Sequence, residues 1–449
     1  MRIFMKFKMT KLEKNWVLYD VGNSAFVMMI CSLLPIYYDT LAKAQGYTEV
    51  QITAIFGTLL SLSALAIALL NPILGAIADN RGMKKKMFFI FLLIGVVGCF
   101  LVGISRSIPY LAAVIIMSRI GMSGSVVFYD AMLVDITQDN RMDNISSRGF
   151  AWGYIGSCIP FVMCLGIYVL ATMPKGAPIL PIGEGTSIII GMAITGIWWF
   201  VMSTPLLRSY KQVHGVEPAK NQIKEAFKKL AITFKNLRAY KAAFMFVIAF
   251  FFYINGVGTI IGMSVVYAKQ ILGDINAVYL VVALLMTQVV AWPCALLFGK
   301  FADKHSPRVL ILISIGGYIA ITIFGAFLDN LLQFFIMAFF VGIFQGGIQA
   351  LSRSYFAKLV PKEKSNEFFG IYDICGKGAS VLGPALMGAA TAITGSPRIG
   401  VSSLILFFLI GGIILLFLPK NVSDRPNNEV NAENLAAEAA NNSVSSVEK

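Results

Sequence analysis

Apolar residues run through this chain in blocks too long for the core of a soluble domain. A stretch of about eighteen or more such residues is long enough to cross a bilayer as a helix. Twelve are predicted, near residues 15–41, 50–78, 87–105, 109–136, 149–173, 186–206, 242–270, 277–301, 309–328, 331–356, 367–394 and 399–418. The expected fold is an all-α membrane protein with twelve spanning helices. The first block carries Asp20 and Pro35 and lacks a small-residue cleavage site, so it reads as a retained helix rather than a secretory signal.

Composition supports the pattern, and charge orients it. Of 449 residues, 57% are hydrophobic and only 13% charged, which leaves more apolar surface than a soluble fold of this size can hide. The net charge of +14 would suit nucleic acid if it were clustered, but it alternates from loop to loop. One set is basic: the tail with Arg2, Lys6, Lys8, Lys11 and Lys14, then the loops holding Arg81 and Lys84 to Lys86, Arg141 and Arg148, Lys300, Lys304 and Arg308, and Lys358, Lys362 and Lys364. The connections between them offer only Lys43, Arg106, Lys175, Lys269 and Arg398. This positive-inside asymmetry places both termini in the cytoplasm and points to a lipid bilayer, not nucleic acid, as the partner. Six cysteines are scattered through or beside the apolar blocks, a distribution that suggests neither a disulfide framework nor a metal site. No cofactor is expected.

The longest basic connection, 207–241, divides the blocks into six and six. Within it Ile223, Phe227, Leu230, Phe234 and Leu237 recur at helical spacing beside Lys224, Lys228, Lys235 and Arg238. That is the pattern of an amphipathic helix lying on an anionic leaflet, or of a solvated linker helix. The expected organisation is a bundle over 1–206, this linker, a bundle over 242–419 and a disordered cytoplasmic tail over 420–449. The halves also repeat. "GAIADNRGMKKK" from Gly75 and "GKFADKHSPR" from Gly299 share glycine, three residues, aspartate and then basic residues, a parallel repeat of the kind transporters use.

The first of these loops resembles the signature of the major facilitator superfamily, with Gly75, Asp79, Gly82 and Lys84 to Lys86 in the signature positions. In the second copy Gly299, Asp303 and Arg308 match, while Ser306 stands where the later glycine would be. "NWVLYDVGNSAFVMMICSLLPIYY", "VFYDAMLVDI", "SSRGFAWGYIGS" and "QGGIQALSRSYFAKLVPKEKSNEFFGIYD" together resemble the vacuole-effluxer-like family of that superfamily, also called the unknown major facilitator family. The resemblance implies two pseudo-symmetric six-helix bundles, a cavity lined by the first, fourth, seventh and tenth helices, and gating by the two loops. It also implies amino acids as a candidate substrate class, since fungal vacuolar relatives export them. The short loops are similar to those of bacterial members, which implies a bacterial plasma membrane, with a vacuolar membrane as the alternative.

Polar residues inside the apolar blocks are the candidate chemistry. Asp20 and Asn23 share one face of the first helix; a carboxylate at lipid depth costs about 2.5–3.5 kcal/mol, so Asp20 must face protein or a wet cavity. It is either a proton carrier or part of a fixed hydrogen-bonded pair. Arg119 and Asp130 share a stripe on the fourth helix but lie about 16 Å apart along its axis, too far to neutralise each other. Arg119 is either an anion partner for a substrate or one arm of a structural ion pair. Asn255, with Thr259, and Gln345 and Gln349, with Ser352, could hydrogen-bond a solute or glue helices together. Asp373 and Lys377 are spaced for a local ion pair.

These features favour a monomeric secondary transporter for a small polar solute, with a proton as the candidate coupling ion. Proton-coupled multidrug export is the alternative within transport. A sensor or scaffold is the alternative outside it. An enzyme is disfavoured, because the two histidines, His214 and His305, fall in loops and no nucleophile or metal-ligand cluster is visible.

Overall fold

The computed structural model describes residues 7–172, 180–217, 233, 240–273, 277–378 and 382–419, with the side chains at 49, 50, 53, 54, 277, 278, 377 and 378 excepted. Most of the 207–241 connection, including its amphipathic stretch, and the tail from 420 lie outside the described residues.

The described chain is helical. In order the helices are α1 Lys11–Cys31, α2 Leu33–Ala44, α3 Glu49–Ala78, α4 Met83–Leu101, α5 Ile108–Ala131, α6 Leu133–Ile136, α7 Met142–Thr172 and α8 Gly183–Ser209. The second half supplies α9 Lys241–Leu272, α10 Ala277–Phe301, α11 Pro307–Ala326, α12 Leu331–Leu359, α13 Ser365–Gly378, α14 Leu382–Thr394, α15 Pro397–Ser402 and α16 Ile405–Leu416. Among the described residues, ten helical stretches are long and apolar enough to span a membrane. The remaining two predicted spans are α4, which opens on three lysines, and the α13–α14 stretch. The twelve-span fold is thus as expected.

Several predicted spans are built of two helices, for local reasons. Pro35 has no N–H to donate to the Cys31 carbonyl, and the first span breaks at Ser32, whose φ of −126° and ψ of −73° are not helical. Leucines such as Leu62, Leu65 and Leu69 on α3 stay exposed, as a lipid-facing surface requires.

The chain packs as two compact units. The first comprises Met1–Leu69, Lys85–Tyr129 and Trp152–Lys211. In it α1 lies along α8, with Gly22 against the Trp199 backbone, Phe26 stacked on Trp199 at 5.2 Å and the Trp198 indole donating to the Val21 carbonyl at 3.2 Å. Gly121 of α5 brings its backbone against Gly95 of α4 so closely that a methyl group there would collide with it. Small residues at such crossings are how helices pack where lipid gives no hydrophobic drive.

The second unit comprises Leu70–Lys84, Asp130–Ala151 and Gln212–Lys449. It therefore gathers the ends of α3, α5 and α7 that border the basic loops together with the second-half helices. Its core is rich in rings, with Phe250 stacked on Tyr372 at 4.0 Å and Phe356 on Tyr372 at 4.9 Å. Gly347 of α12 seats the Phe298 ring of α10, and Gly411 of α16 fits the backbone of α9 at Ala249 and Tyr253.

Candidate functional site

The first four amides of an α-helix have no partner within the helix and must find one elsewhere. For α13 that partner comes from far away in sequence. Asp79, one residue past the end of α3, accepts the Asn366 N–H at 2.9 Å and the Asn366 side-chain amide at 2.8 Å on one oxygen. Its other oxygen accepts the Glu367 N–H at 3.0 Å. A carboxylate here also meets the positive end of the helix dipole. Gly75, one turn earlier, lies flat against the Asn366 carbonyl, where a side chain would collide. Beside it the fully buried Lys84 ammonium donates to Asp135 at 2.8 Å, to Ser365 Oγ at 3.1 Å and to the Ala131 carbonyl at 3.3 Å. Gly82, at φ +79°, makes the turn that lets Asp79 and Lys84 face the same helix end.

Asp79 is buried, and burial pushes its carboxyl up to about 7; Lys84 and the Asn366 donors pull it down, while Glu367 adds to the rise.

The second loop repeats this docking in weaker form. Asn144, near the start of α7, donates its side-chain amide to Asp303 at 2.5 Å, and Gly299 packs against Ser147. Asp303 is exposed where Asp79 is buried, and Arg308 turns away to the carbonyls of Leu416 and Leu418 instead of taking the place of Lys84. Ser306, at φ −56°, makes no positive-φ turn.

Ion pairs surround the two docked loops. Arg353 of α12 pairs with Asp130 at 3.0 Å, donates to Ser146 Oγ at 2.9 Å and to the Ser146 carbonyl at 3.0 Å, and lies 4.3 Å over the Phe150 ring. Lys358 holds Asp143 at 2.6 Å, and the more exposed Lys362 holds Asp139 at 2.9 Å. Asp130, singled out as a companion of Arg119, is thus engaged by Arg353.

In the first unit the buried Asp20 accepts the Tyr129 hydroxyl at 2.7 Å. Trp16 stacks on Tyr129 at 4.4 Å and donates to its carbonyl at 3.0 Å. The buried side-chain oxygen Oδ1 of Asn23 meets no donor among the described residues. Arg119 donates its Nε to Ser63 Oγ at 2.9 Å and has no acidic partner among the described residues.

In the second unit Asn255 and Thr259 bond mostly along their own helix: Asn255 donates to the Phe251 carbonyl at 2.6 Å and Thr259 to the Asn255 carbonyl at 2.7 Å. The side-chain oxygen Oδ1 of Asn255 is buried without a donor among the described residues. Gln345 is buried and Gln349 half-buried on α12, and Ser352 shares a 2.6 Å hydrogen bond with Tyr253. Asp373 accepts from Asn71 at 2.7 Å, and the Lys377 side chain lies outside the described residues.

Arg353, Asp135, Tyr129, Asn144 and Asn366 do not stand out in the sequence. A signal for two of them is present: Asn144 and Asn366 are separated by nearly the same spacing as Gly75 and Gly299.

Docked, repeated loops on a twelve-helix fold define a transporter of the major facilitator superfamily, and known proteins agree. The fold matches the human organic anion transporter MFSD10 (TETRAN), with a TM-score of 0.67, 13% identity and coverage of 90% of this chain and 98% of that one. It also matches the proton:xylose symporter XylE, with a TM-score of 0.67, 12% identity and coverage of 91% and 94%. Within the superfamily the chain belongs to the vacuole effluxer Atg22 like family, whose model matches residues 10–427. It is 40% identical over 419 residues, 93% of this chain and 96% of the other, to the uncharacterized MFS-type transporter YxiO of Bacillus subtilis (strain 168). The chain is a multi-pass membrane transporter, not an enzyme.

The Arg353–Asp130 pair yields a stability test. Removing one partner of a buried pair strands the other, at a cost of about 3–5 kcal/mol, while replacing both with apolar groups restores much of it. Asp130→Leu and Arg353→Met should each lower the thermal unfolding temperature in detergent more than the double variant does. Additive losses would show that the two groups are energetically independent.

Asp79 yields a pH test. Its carboxyl is raised to about 7 when docked and returns toward the ordinary value of about 3.9 when released into water, so docking takes up a proton. Docking is expected to be strongest below about pH 4 and to weaken as pH rises to about 7. The measure is labelling of Ser147→Cys by a soluble maleimide, relative to an exposed Asn140→Cys control. That ratio should climb across the window and become flat in Asp79→Ala; a flat ratio in the parent protein would contradict the shift.

Proposed function

We propose that this transporter moves a small carboxylate-bearing solute, with amino acids foremost, by alternating access and in exchange with protons. The observation that carries the reading is the pair of docked loops. They join the two sequence halves through hydrogen bonds and ion pairs to groups that water could also satisfy. Each such hydrogen bond is worth about 0.5–1.5 kcal/mol net. A lock of this kind closes firmly yet stays within reach of the few kcal/mol by which a solute or proton prefers one state. The bodies that move are taken to be 1–206 and 242–419, in a monomer, with 207–241 spanning them. The positive-inside pattern supports placing the docked loops and both termini in the cytoplasm. A bacterial plasma membrane suits the 40% identity to the Bacillus subtilis protein.

Arg119 supports the carboxylate. Its Nε is held by Ser63, which fixes the guanidinium plane and leaves the terminal amino groups without an acid among the described residues. A planar fork in that state matches a carboxylate in two-point contact. MFSD10, an organic anion transporter of the same fold, is in keeping with this. Asn23 adds an acceptor in the same unit that a solute ammonium could use. Asp20, buried against Tyr129, is the candidate proton carrier, and the proton:xylose symporter is a precedent on this fold. Membership of a vacuole-effluxer-like family favours export. Multidrug export would need Arg119 and Asp130 as free interior charges, and the Asp130–Arg353 pair weakens it.

A thermal-shift screen of the purified protein tests the solute. Free amino acids or short carboxylic acids should raise the unfolding temperature, since a ligand of the native state stabilises it. Arg119→Gln should abolish the shift at the same ligand concentration while its own midpoint stays within about 4 °C of the parent. A shift retained in Arg119→Gln, or one given only by uncharged sugars, would remove the carboxylate reading.

The proton role is tested in liposomes with whichever acid the screen returns. Asp20→Asn should lose accumulation driven by a pH gradient and keep exchange across a membrane without one. Accumulation at the parent rate would exclude Asp20 as the carrier.

A further inference from the structure

The short segment after α8 makes contacts that a passive linker would not. Instead of leaving the protein, residues 212–217 fold back on the first loop. Val216 and Asn80 form a parallel backbone bridge, in which the Arg81 N–H donates to the Val216 carbonyl at 2.9 Å and the Val216 N–H to the Asp79 carbonyl at 2.9 Å. Gln212 reaches into the turn, where its side-chain oxygen accepts the Gly82 N–H at 2.9 Å and the Lys84 N–H at 3.3 Å. Its amide nitrogen donates to the His214 carbonyl at 3.0 Å. His214 lies against the fully buried Asp135 carboxylate, with the backbone N–H at 2.9 Å and the ring Nδ1 at 3.0 Å from the same oxygen. The other oxygen of Asp135 holds Lys84.

Apart from the internal Gln212–His214 bond, each contact ends on the backbone of the first loop or on Asp135, the carboxylate that holds Lys84. Asp79 and Lys84 lie on a glycine turn, and a turn of that kind has many conformations to lose. A carboxylate and an ammonium must be held in place before they can meet a helix end without a large ordering cost. We infer that Gln212–Glu217 is a splint: Gln212, His214 and Val216 are positioning residues that hold the first loop in the shape that lets Asp79 and Lys84 seat on Ser365–Glu367. These contacts fasten the segment to Asp79–Lys84 and Asp135, all in the first sequence half, so the splint stays attached when the lock opens. It is also the first stretch of the connection between the halves, and a pull on that connection would reach the loop directly.

This role presupposes that the docked loop is a gate, as proposed above, and the experiment separates the two ideas. In a background with the six native cysteines replaced, Ser147→Cys is the reporter and its rate of labelling by a soluble maleimide measures opening. Asp79→Ala should speed labelling several-fold. If it does not, the gate reading fails, and the splint with it. Gln212→Ala with His214→Ala should speed labelling comparably while Asp79 is intact; an unchanged rate beside a fast Asp79→Ala overturns the splint alone.

A rescue distinguishes positioning from general loss of structure. Adding Asn80→Cys and Val216→Cys and oxidising them ties the segment to the loop covalently, at a bridge spacing suited to a disulfide. Slow labelling should return in the Gln212→Ala, His214→Ala background, and reduction should reverse it. Labelling that stays fast after oxidation would show that the segment does not position the loop. In the parent protein the same disulfide should leave the labelling rate unchanged within about twofold, since the splint does not detach; a strongly slowed rate would mean that detachment is part of opening, which contradicts the inference.

Discussion

A buried aspartate at the start of another helix sets the terms for the rest of this structure. Asp79 leaves water only because the open amides of α13 leave it too, and each offsets part of the other's penalty. Neither could be buried alone. Gly75 exists as a glycine so that the two backbones can come together, and Gly82 turns the chain so that Lys84 arrives on the same side. Lys84 then requires Asp135, and Asp135 requires the backbone of Val213 and His214. Two unmet amides at a helix end thus account for a chain of polar contacts running through four separate segments.

The gating proposed for this region rests on the same chemistry. An apolar seam at this point would gain from burial and have nothing to gain from water. The groups here exchange one set of hydrogen bonds for another, so the difference between docked and released states is small compared with the contacts themselves. Membrane-facing surfaces of the same helices obey the opposite rule: the exposed leucines of α3 belong in lipid in either state. The weaker second loop fits this picture. Asp303 keeps its access to water, needs one donor rather than three, and forms the less demanding half of the repeat.

The fold was largely legible in the sequence because lipid imposes a simple requirement, a long apolar helix for each crossing. The repeat was legible because both loops keep glycine, aspartate and base in fixed order. What was not legible is which partners the polar residues choose. Asp130 and Arg119 share a helical stripe, and helix geometry alone could exclude only their pairing with each other; that Arg353 takes Asp130 depends on how α12 packs, which no local pattern encodes. Asp20 was recognisable as an anomaly, whereas its partner Tyr129 looked like one more aromatic in an apolar run. The start of the 207–241 connection read as linker because its folded-back conformation is held by single side chains, Gln212 and His214, that carry no periodicity.

The central claim is that the docked loops join and part during transport. Double electron–electron resonance between spin labels at Asn140 and Lys304, exposed positions on the α6–α7 and α10–α11 connections, measures this directly. The expected result is two distance populations, with Asp79→Ala and Asp303→Ala moving weight from the shorter to the longer. A single distance, unaltered by both substitutions, would contradict the account.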